Sequence, residues 1–486
     1  MDFYTTKEIA DKWGISAPRV AVLCEEKRIE GAEKKGKTWL IPIDTMKPDD
    51  GRYKRMRSYV QFFNSIEKKY NMIYPGSENA TYSSLLNFSD DLSKPFQRWY
   101  RYKEGFSIEL VETLIKNYSK DNDGIIMDPF SGSGSTLLAA NKLGYKSCGF
   151  ETNPFSFFLS RCKLDNYSKR TIESFKQAYE QILDDARKNV REYKLPKLSI
   201  SHKVFNPEVE KYFMSIGSLI ETQNDMQIKN LLKLGWLACL EPLCNYRKAG
   251  NGLKIKKYVK PRIITCDDVR VTLLEEYQNI YIDLLKREET TNSKIYNESC
   301  LSMDKYIKNS SLEGIIFSPP YANCFDYTEI YKLELWFGKF VTEYSQLKEL
   351  RKKSLHSHLN GDLSINTEEK SETLEKLLRE LEKKELWDKR IPKMLRLYYD
   401  DMFRVIEKSY NCLRKKGFCC IVVGNSAYGG IVFPADLIMA EYAEKIGFEV
   451  DKIEIDRFII TSSQQYNETK ETGKYLRESI VCLVKK

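Results

Sequence analysis

Histidine is scarce in this 486-residue chain, which holds only His202, His356 and His358, and none of its twelve cysteines belongs to a Cys-x-x-Cys pair. Zinc fingers and other Cys/His metal sites need such spaced ligands, so we expect no metal site. The cysteines are scattered, and the adjacent Cys419 and Cys420 lie in an apolar run. This distribution predicts buried free thiols rather than a disulfide framework.

Long apolar runs are also missing. No stretch approaches the roughly 18 apolar residues of a membrane span, and the first residues, MDFYTTKE, lack the basic-then-apolar pattern of a signal peptide. We therefore expect a cytoplasmic protein with no membrane partner. Its 42% apolar and 30% charged residues are typical of a folded protein.

Basic residues outnumber acidic ones by 78 to 69, which gives a formal net charge of +9. The excess is concentrated at residues 246–262, YRKAGNGLKIKKYVKPR, which contain seven basic residues and no acidic one. Glycines and tyrosines between the charges would let the backbone lie close to phosphates. A solvated surface loop is the alternative. The nucleic-acid contacts that we expect come from Arg247, Lys248, Lys254, Lys256 and Lys257.

Short apolar strands alternate with helices over most of the chain. The predicted strands are residues 124–128, 147–150, 312–317, 418–423, 448–450 and 479–484. This alternation predicts an α/β fold with a mostly parallel sheet. We also expect an amphipathic helix over residues 99–118 and a solvated amphipathic helix within the charged residues 345–393.

The segment DPFSGSGST, residues 128–136, stands where a predicted strand passes into a helix. Open α/β sheets bind ligands at this position, and Gly132 and Gly134 would let the backbone approach the ligand. Glu151 ends the next strand, where a carboxylate can accept hydrogen bonds from both ribose hydroxyls of a nucleoside. Leu137 replaces the third glycine of the G-x-G-x-x-G pattern, which disfavours NAD.

These segments resemble motifs I and II of the amino-group DNA methyltransferases. The resemblance implies a Rossmann-like methyltransferase sheet and S-adenosylmethionine as the cofactor. It also implies that residues 99–110 correspond to motif X, which packs the methionine end of the cofactor. The cofactor-binding residues that it implies are Phe106, Asp128, Phe130, Gly132, Gly134, Thr136, Glu151 and Asn153.

Ser318-Pro319-Pro320-Tyr321 follows the predicted 312–317 strand and resembles motif IV of the same family. Consecutive prolines remove backbone donors and stiffen the loop, which leaves carbonyl oxygens to accept hydrogen bonds from an exocyclic amine. The Ser318 side chain and the Pro319 carbonyl would hold the amine, and Tyr321 would stack on the base. These four residues are the candidate catalytic residues.

Three weaker matches extend the resemblance. Glu298, within Asn297-Glu298-Ser299, falls where the family has an acid that reaches the adenine amine of the cofactor. Gly424-Asn425-Ser426 fits a late motif that lines the base pocket, and a strand-end turn explains it equally well. Arg477-Glu478 is expected to be a surface pair.

The resemblance implies methyl transfer to an exocyclic base amine of double-stranded DNA, within a restriction-modification or related defence system. Serine at the first position of motif IV is associated in the family with N4 of cytosine, and N6 of adenine is the alternative. Methylation at C5 of cytosine is excluded because no proline precedes a cysteine. RNA base methylation and a regulator that only senses S-adenosylmethionine stay open.

Residues 1–46 predict a helix, a glycine turn, a second helix and a strand pair, which resembles the MerR/excisionase type of helix-turn-helix domain. A small helical cap without a nucleic-acid role is the alternative.

Target recognition is expected upstream of the catalytic half or within the core, because the last predicted strand closes the chain. We expect it in an insertion at residues 166–290, with the charged residues 341–392 as the rival. A cognate restriction endonuclease is a possible partner. The further segments expected are a linker (47–95), the cofactor half (96–165), a mainly helical insertion for target recognition (166–290) and the catalytic half (291–486).

Overall fold

The computed structural model of the protein describes residues 3–48, 51–82, 85, 90–103, 105, 107–120, 124–188, 190–196, 203–250, 252–256, 263–287, 292–459, 469 and 472–486. The chain divides into two compact units, Met1–Ser65 and Ile66–Lys486.

The first unit contains helices and a three-stranded sheet of order β1-β3-β2. Thr5 caps the first helix through a capping box with Glu8, and Gly14 ends that helix at a φ of 64°. The two helices and the strand pair lie where the sequence predicts them, and their assignment to the helix-turn-helix type stays a prediction. The elements are β1 (Phe3–Thr5), α1 (Thr6–Trp13), α2 (Ala17–Glu25), β2 (Glu33–Lys35), β3 (Thr38–Pro42) and most of α3 (Gly51–Glu67).

Residues 31–38 read GAEKKGKT, which matches the letters of a P-loop signature. They form the antiparallel β2–β3 hairpin, in which Lys35 lies opposite Thr38. A P-loop needs a strand that leads through the glycine loop into a helix, so this match carries no phosphate site.

The second unit is organised around a sheet of eight strands, in the order β4-β14-β15-β11-β10-β5-β6-β9. The strands of this unit are β4 (Met72–Ile73), β5 (Ile125–Asp128), β6 (Lys146–Phe150), β7 (Tyr246–Ala249), β8 (Gly252–Ile255), β9 (Ser293–Tyr296), β10 (Leu312–Phe317), β11 (Leu413–Gly424), β12 (Ser426–Tyr428), β13 (Ile431–Phe433), β14 (Phe448–Phe458) and β15 (Arg477–Lys485). Neighbours in the large sheet pair in parallel except at β15, which is antiparallel to β11 and β14. The predicted α/β class with a mainly parallel sheet is confirmed.

Helices cover the sheet and form a separate cluster with an aromatic core. They are α4 (Ile108–Tyr118), α5 (Ser135–Lys142), α6 (Pro154–Leu164), α7 (Lys169–Lys188), α8 (Pro207–Glu221), α9 (Met226–Ala238), α10 (Leu240–Leu243), α11 (Cys266–Lys286), α12 (Tyr327–Ile330), α13 (Lys332–Phe337), α14 (Tyr344–Lys353), α15 (Glu372–Leu381), α16 (Ile391–Cys412) and α17 (Ala435–Lys445). The segment 166–290 is mainly helical, with α7 to α11 and the antiparallel β7–β8 hairpin.

Two expectations about local structure were wrong. The helix expected from residue 99 begins at Ile108, because Ser107 caps it and the preceding Trp99 and Tyr100 are buried in the aromatic core. The segment 47–95 is more than a linker, because β4 pairs with β14 at the edge of the large sheet.

The charged residues 345–393 do contain an amphipathic helix, α15. Its apolar face consists of Leu374, Leu377, Leu378 and Leu381, and all four leucines are buried within the unit. The helix is therefore packed against the rest of the unit rather than fully solvated.

No helix in the described ranges has the length and apolar character needed to cross a bilayer. All twelve cysteines lie within the described residues, none of them forms a disulfide, and ten of them are buried.

Candidate active site

The turn between β5 and α5 contains two glycines, Gly132 and Gly134, and the backbone at Gly132 lines a cleft. Gly132 and Gly134 have φ angles of 50° and 85°, which L side chains rarely adopt. A Cβ on Gly132 would stand 3.2 Å from Cε1 of Tyr102, and one on Gly134 would stand 3.1 Å from Oγ of Ser160. The backbone conformation therefore favours glycine at both positions, and a Cβ at either would crowd its neighbour.

Glu151 directly follows β6 and binds the backbone of this turn. Its Oε2 accepts a hydrogen bond from the Gly132 N–H at 2.9 Å, and its Oε1 accepts one from the Asn153 N–H at 2.7 Å. Burial raises the pKa of the Glu151 carboxyl to about 7, against the lowering effect of these donors. Each oxygen keeps a lone pair, so the carboxylate can also accept hydrogen bonds from ligand hydroxyls.

Two buried polar atoms beside the turn lack a hydrogen-bond partner within the described part of the chain. The Asp128 carboxyl is fully buried, and while its Oδ1 accepts a hydrogen bond from the Phe130 N–H at 2.8 Å, its Oδ2 is unpaired. Asn153 caps α6 through its side-chain oxygen, and its Nδ2 is unpaired. Burial raises the pKa of Asp128 to about 7. Such atoms are rare in native proteins and fit a polar ligand at this position.

The Ser318 loop lies beside the Gly132 turn because β10 pairs in parallel with β5. The rings of Phe130 and Phe317, at the ends of these strands, have centroids 5.5 Å apart. Residues from both loops line one cleft, which we call the cofactor cleft. Its lining includes Tyr102, Gly105, Phe130, Gly132, Glu151, Asn153, Glu298, Ser318, Pro320, Asp326, Tyr327 and His358.

A second cleft adjoins the cofactor cleft at the Ser318 loop. Its lining is Gly105, Ser318, Pro319, Tyr321, Asn323, Phe325, Tyr327, Val422, Arg457 and Glu478. Gly105, Ser318 and Tyr327 line both clefts. Each of the four candidate catalytic residues therefore faces at least one of two connected cavities.

The Tyr321 ring packs against the end of β11. A Cβ on Gly424 would stand 2.7 Å from Cε2 of Tyr321, so only glycine leaves room for the ring. The neighbouring Asn425 is buried and donates to Asp436 at 2.9 Å. Of this late motif, Gly424 supports the second cleft while Asn425 faces the interior.

Asp128, Gly134 and Thr136 are predicted cofactor residues that do not line the cofactor cleft. Thr136 is fully buried, and its hydroxyl points to the Ile316 carbonyl at 3.5 Å, so it supports the turn from behind. Asp128 is fully buried and directly precedes the lining residue Pro129 in the sequence. Phe106 lies outside the described residues.

Several lining residues were missed by the sequence prediction. Tyr102 packs on Gly132 and bonds the Ser156 hydroxyl at 3.0 Å. Asp326 and Tyr327 follow the Ser318 loop by only a few positions, so their proximity to that motif was a usable signal. His358 comes from the chain after α14, and no motif marks it.

Fewer lysine and arginine side chains of the basic segment 246–262 are available to contact DNA than the sequence predicts. The prediction that Lys248 contacts phosphate is wrong, because its side chain is buried. Its Nζ lies 2.5 Å from Glu334 Oε1 and donates a hydrogen bond to the Tyr100 hydroxyl at 2.8 Å. Lys256 donates to the carbonyls of Glu241 and Pro242 at the base of the hairpin. Arg247 and Lys254 are exposed, and Lys257 lies outside the described residues.

Arg477 is not part of a surface pair. Its side chain is completely buried and bonds Asp436 at 2.7 Å and Glu67 at 2.6 Å. In the rival segment 341–392, Arg351 is paired with Asp326 and His356 with Asp401, while Lys353 lines the cofactor cleft. Arg351 and His356 are therefore committed to contacts within the unit, whereas Lys353 is exposed.

Comparisons with known proteins agree on a class. The family described as DNA methylase matches residues 19–159, and the D12 class N6 adenine-specific DNA methyltransferase family matches residues 108–211. Type II methyltransferase M.AvaI of Nostoc sp. is 29% identical over 427 residues, which cover 82% of this chain and 87% of that protein. Type II methyltransferase M.BsoBI of Geobacillus stearothermophilus is 27% identical over 85% of this chain and 90% of that protein. These matches support an amino-group DNA methyltransferase. They also support the restriction-modification kind, and both base specificities occur among the matched families.

Methyltransferases of this kind use S-adenosylmethionine, and the cofactor cleft suits it. Glu151 would accept hydrogen bonds from the ribose hydroxyls, and the unpaired Nδ2 of Asn153, which lines the cleft, would donate a hydrogen bond to a polar atom of the cofactor. The ring of Phe130 would face the sulfonium charge. Within the described ranges no cluster of His, Cys, Asp and Glu side chains is arranged to hold a metal ion.

The pKa of Glu151 predicts that nucleoside binding depends on pH. Ligand hydroxyls donate to the ionised carboxylate, so binding strengthens as pH rises through about 7 and then levels off. We expect methylthioadenosine, which has the ribose but no amino-acid group, to bind up to about tenfold more tightly at pH 8 than at pH 6. Titration calorimetry measures this ratio. Glu151→Gln should flatten the profile, and an equally steep profile in that variant would assign the titration to another group.

Proposed function

We propose that this protein transfers a methyl group from S-adenosylmethionine to N4 of cytosine in double-stranded DNA, as the modification enzyme of a restriction-modification system. The observation that carries the proposal is that the cofactor cleft and the second cleft meet at Ser318. A base amine held by the Ser318 loop would stand beside the cleft that the Gly132 turn supplies for the cofactor.

The Ser318 loop has the groups that an amine needs in order to act as a nucleophile. The lone pair of an exocyclic amine is delocalised into the ring, so the site must orient the nitrogen and draw it toward tetrahedral geometry. The Ser318 hydroxyl and the Pro319 carbonyl would accept the two amine hydrogens. When bound, the cofactor would supply an electrophilic methyl group and take up the electron pair of the broken C–S bond as a neutral thioether, and the alkylated amine would then pass its proton to water.

The second cleft is lined by aromatic side chains on which a single base would stack. A base inside a duplex must be extruded before its amine can react, at a cost of a few kcal/mol. Tyr321, Phe325 and Tyr327 offer aromatic faces in this cleft, and stacking on them offsets part of that cost.

Cytosine is the proposed base because serine occupies the first position of motif IV. The D12 class match favours adenine as the alternative. We expect nucleosides from DNA modified by this protein in an otherwise unmethylated host to contain N4-methylcytosine by mass spectrometry. N6-methyladenine would contradict the proposed base. Unmodified DNA, with the cofactor still bound, would contradict the enzyme and support a regulator.

The β7–β8 hairpin is the proposed DNA contact, now through Arg247 and Lys254. Replacing both with glutamine should lower the slope of log affinity against log salt by about 0.9 per lost contact. Fluorescence anisotropy at several salt concentrations measures the slope. The matched pair Lys383→Gln and Lys389→Gln lies in the rival segment 341–392. A lower slope only in that pair would move the DNA contact there.

The domain assignment remains our proposal. Residues 96–165 would form the cofactor half, 291–486 the catalytic half and 166–290 the recognition insertion. The excisionase-like segment 1–46 would add a DNA contact, and a cognate restriction endonuclease would cut unmodified copies of the same site.

A further inference from the structure

Two charged side chains, Arg457 and Glu478, line the second cleft together with residues of the Ser318 loop. Arg457, near the end of β14, donates from Nε to Oε2 of Glu478 at 2.5 Å. Glu478, near the start of β15, is 12% exposed and Arg457 is 54% exposed. Neither residue belongs to the motifs that mark the cofactor or the amine.

The sheet register holds this pair in line with Tyr321. Glu478 lies opposite Arg457 on β14 and opposite Gly424 on β11. Gly424 in turn packs against the Tyr321 ring, and a Cβ at Gly424 would stand 3.4 Å from Cγ of Glu478. One row of residues across three strands therefore places a guanidinium and an aromatic ring in the same cleft.

The free edge of the guanidinium can donate two parallel hydrogen bonds. Its Nε is occupied by Glu478, and no residue in the described part of the chain accepts a hydrogen bond from its Nη atoms. Hydrogen bonding to Glu478 raises the pKa of Arg457 further, so the group is always charged. A planar fork of this kind matches two adjacent acceptors.

Cytosine and adenine differ in the acceptors next to the amine. Cytosine presents N3 and then O2, whereas adenine presents N1 and then a C–H group. When the Ser318 loop holds the amine, the ring nitrogen is an acceptor in both bases, and only cytosine offers a second acceptor beyond it. A donor fork in the same cleft as the Ser318 loop therefore favours cytosine.

We propose that Arg457, positioned by Glu478, reads N3 and O2 of the extruded cytosine and sets the base specificity of this enzyme. This inference rests on the proposed function and adds its specificity-determining residue. Glu478 is a positioning residue, because it acts through Arg457.

The test combines Arg457→Gln with a duplex that carries 3-deazacytosine, which lacks the N3 acceptor, at the methylated position found by sequencing. Losing one charge-assisted hydrogen bond should lower kcat/KM by about 10- to 100-fold. We expect a loss of this size for the native protein on 3-deazacytosine, which lacks one of the two acceptors, and a loss at least as large for Arg457→Gln on cytosine, which lacks the fork that donates to both. On 3-deazacytosine, the variant should lose little beyond its loss on cytosine, because the contact to N3 is already absent in the variant.

Three controls distinguish a loss of base recognition from a general disruption of the folded protein. Arg379 is exposed and lines neither cleft, so Arg379→Gln should keep native rates on both duplexes. Arg457→Lys keeps the charge but not the fork, and its cytosine rate should still fall. Arg457→Gln should bind S-adenosylhomocysteine within about twofold of the native protein.

Native cytosine rates in Arg457→Gln, or losses from variant and analogue that multiply, would overturn this inference and leave the proposed function intact. N6-methyladenine as the native product would overturn the proposed base and this inference together.

Discussion

Replacing Tyr321 with alanine is expected to lower methyl transfer into duplex DNA about 100-fold while leaving cofactor affinity within about twofold of native. The ring lines the second cleft but not the cofactor cleft, so only the base loses a contact. Stacking of one base on an aromatic ring contributes about 1–3 kcal/mol, and the upper value applies in an enclosed site. Transfer of tritiated methyl groups measures the rate, and calorimetry with S-adenosylhomocysteine measures affinity.

Tyr321→Phe keeps the aromatic face and should retain most of the activity. Gly424→Ala keeps the tyrosine but should also lower activity, because the added Cβ would lie 2.7 Å from the Tyr321 ring and would displace it. Native activity in Tyr321→Ala would show that the second cleft does not hold the base.

The second large effect is expected for Glu151→Ala, which should weaken S-adenosylhomocysteine binding at least 100-fold. The substitution removes the acceptor for the two ribose hydroxyls, and a hydrogen bond to a charged group contributes about 1.5–3 kcal/mol. It also leaves the N–H groups of Gly132 and Asn153 without the acceptor that holds the turn in place. Calorimetry at pH 8, where the carboxyl is mostly ionised, gives the clearest comparison.

Glu449 on β14 is the matched control, because it is exposed and lines neither cleft. Glu449→Ala should bind the cofactor product as the native protein does. Undiminished binding by Glu151→Ala would mean that the nucleoside lies outside the cofactor cleft.

The central strands were predictable because their apolar runs are short and bounded by turn residues. The strand that ends at Phe317 is fully buried, and the strand that ends at Asp128 is buried except at Ile125; each is followed by a loop that lines the cofactor cleft. Local pattern was sufficient there, because parallel strand ends meet at one edge of a sheet.

Charged side chains were harder to place, because their partners are distant in sequence. Lys248 is buried against Glu334, and Arg477 is buried against Glu67. A basic run predicts exposure on average, and only tertiary contacts reveal that a buried carboxylate neutralises a particular cation. His358 was missed for a related reason, since it reaches the cofactor cleft from a segment without a motif.

The account depends on one arrangement, in which the cofactor's methyl position and a base amine face each other across Ser318. A crystal structure with duplex DNA and sinefungin, whose amine replaces the transferred methyl group, tests it most directly. We predict that this amine lies within about 3.5 Å of N4 of an extruded cytosine, with the ribose at Glu151 and the base against Tyr321. A sinefungin amine that lies away from Ser318, or an extruded base bound outside the second cleft, would contradict the account.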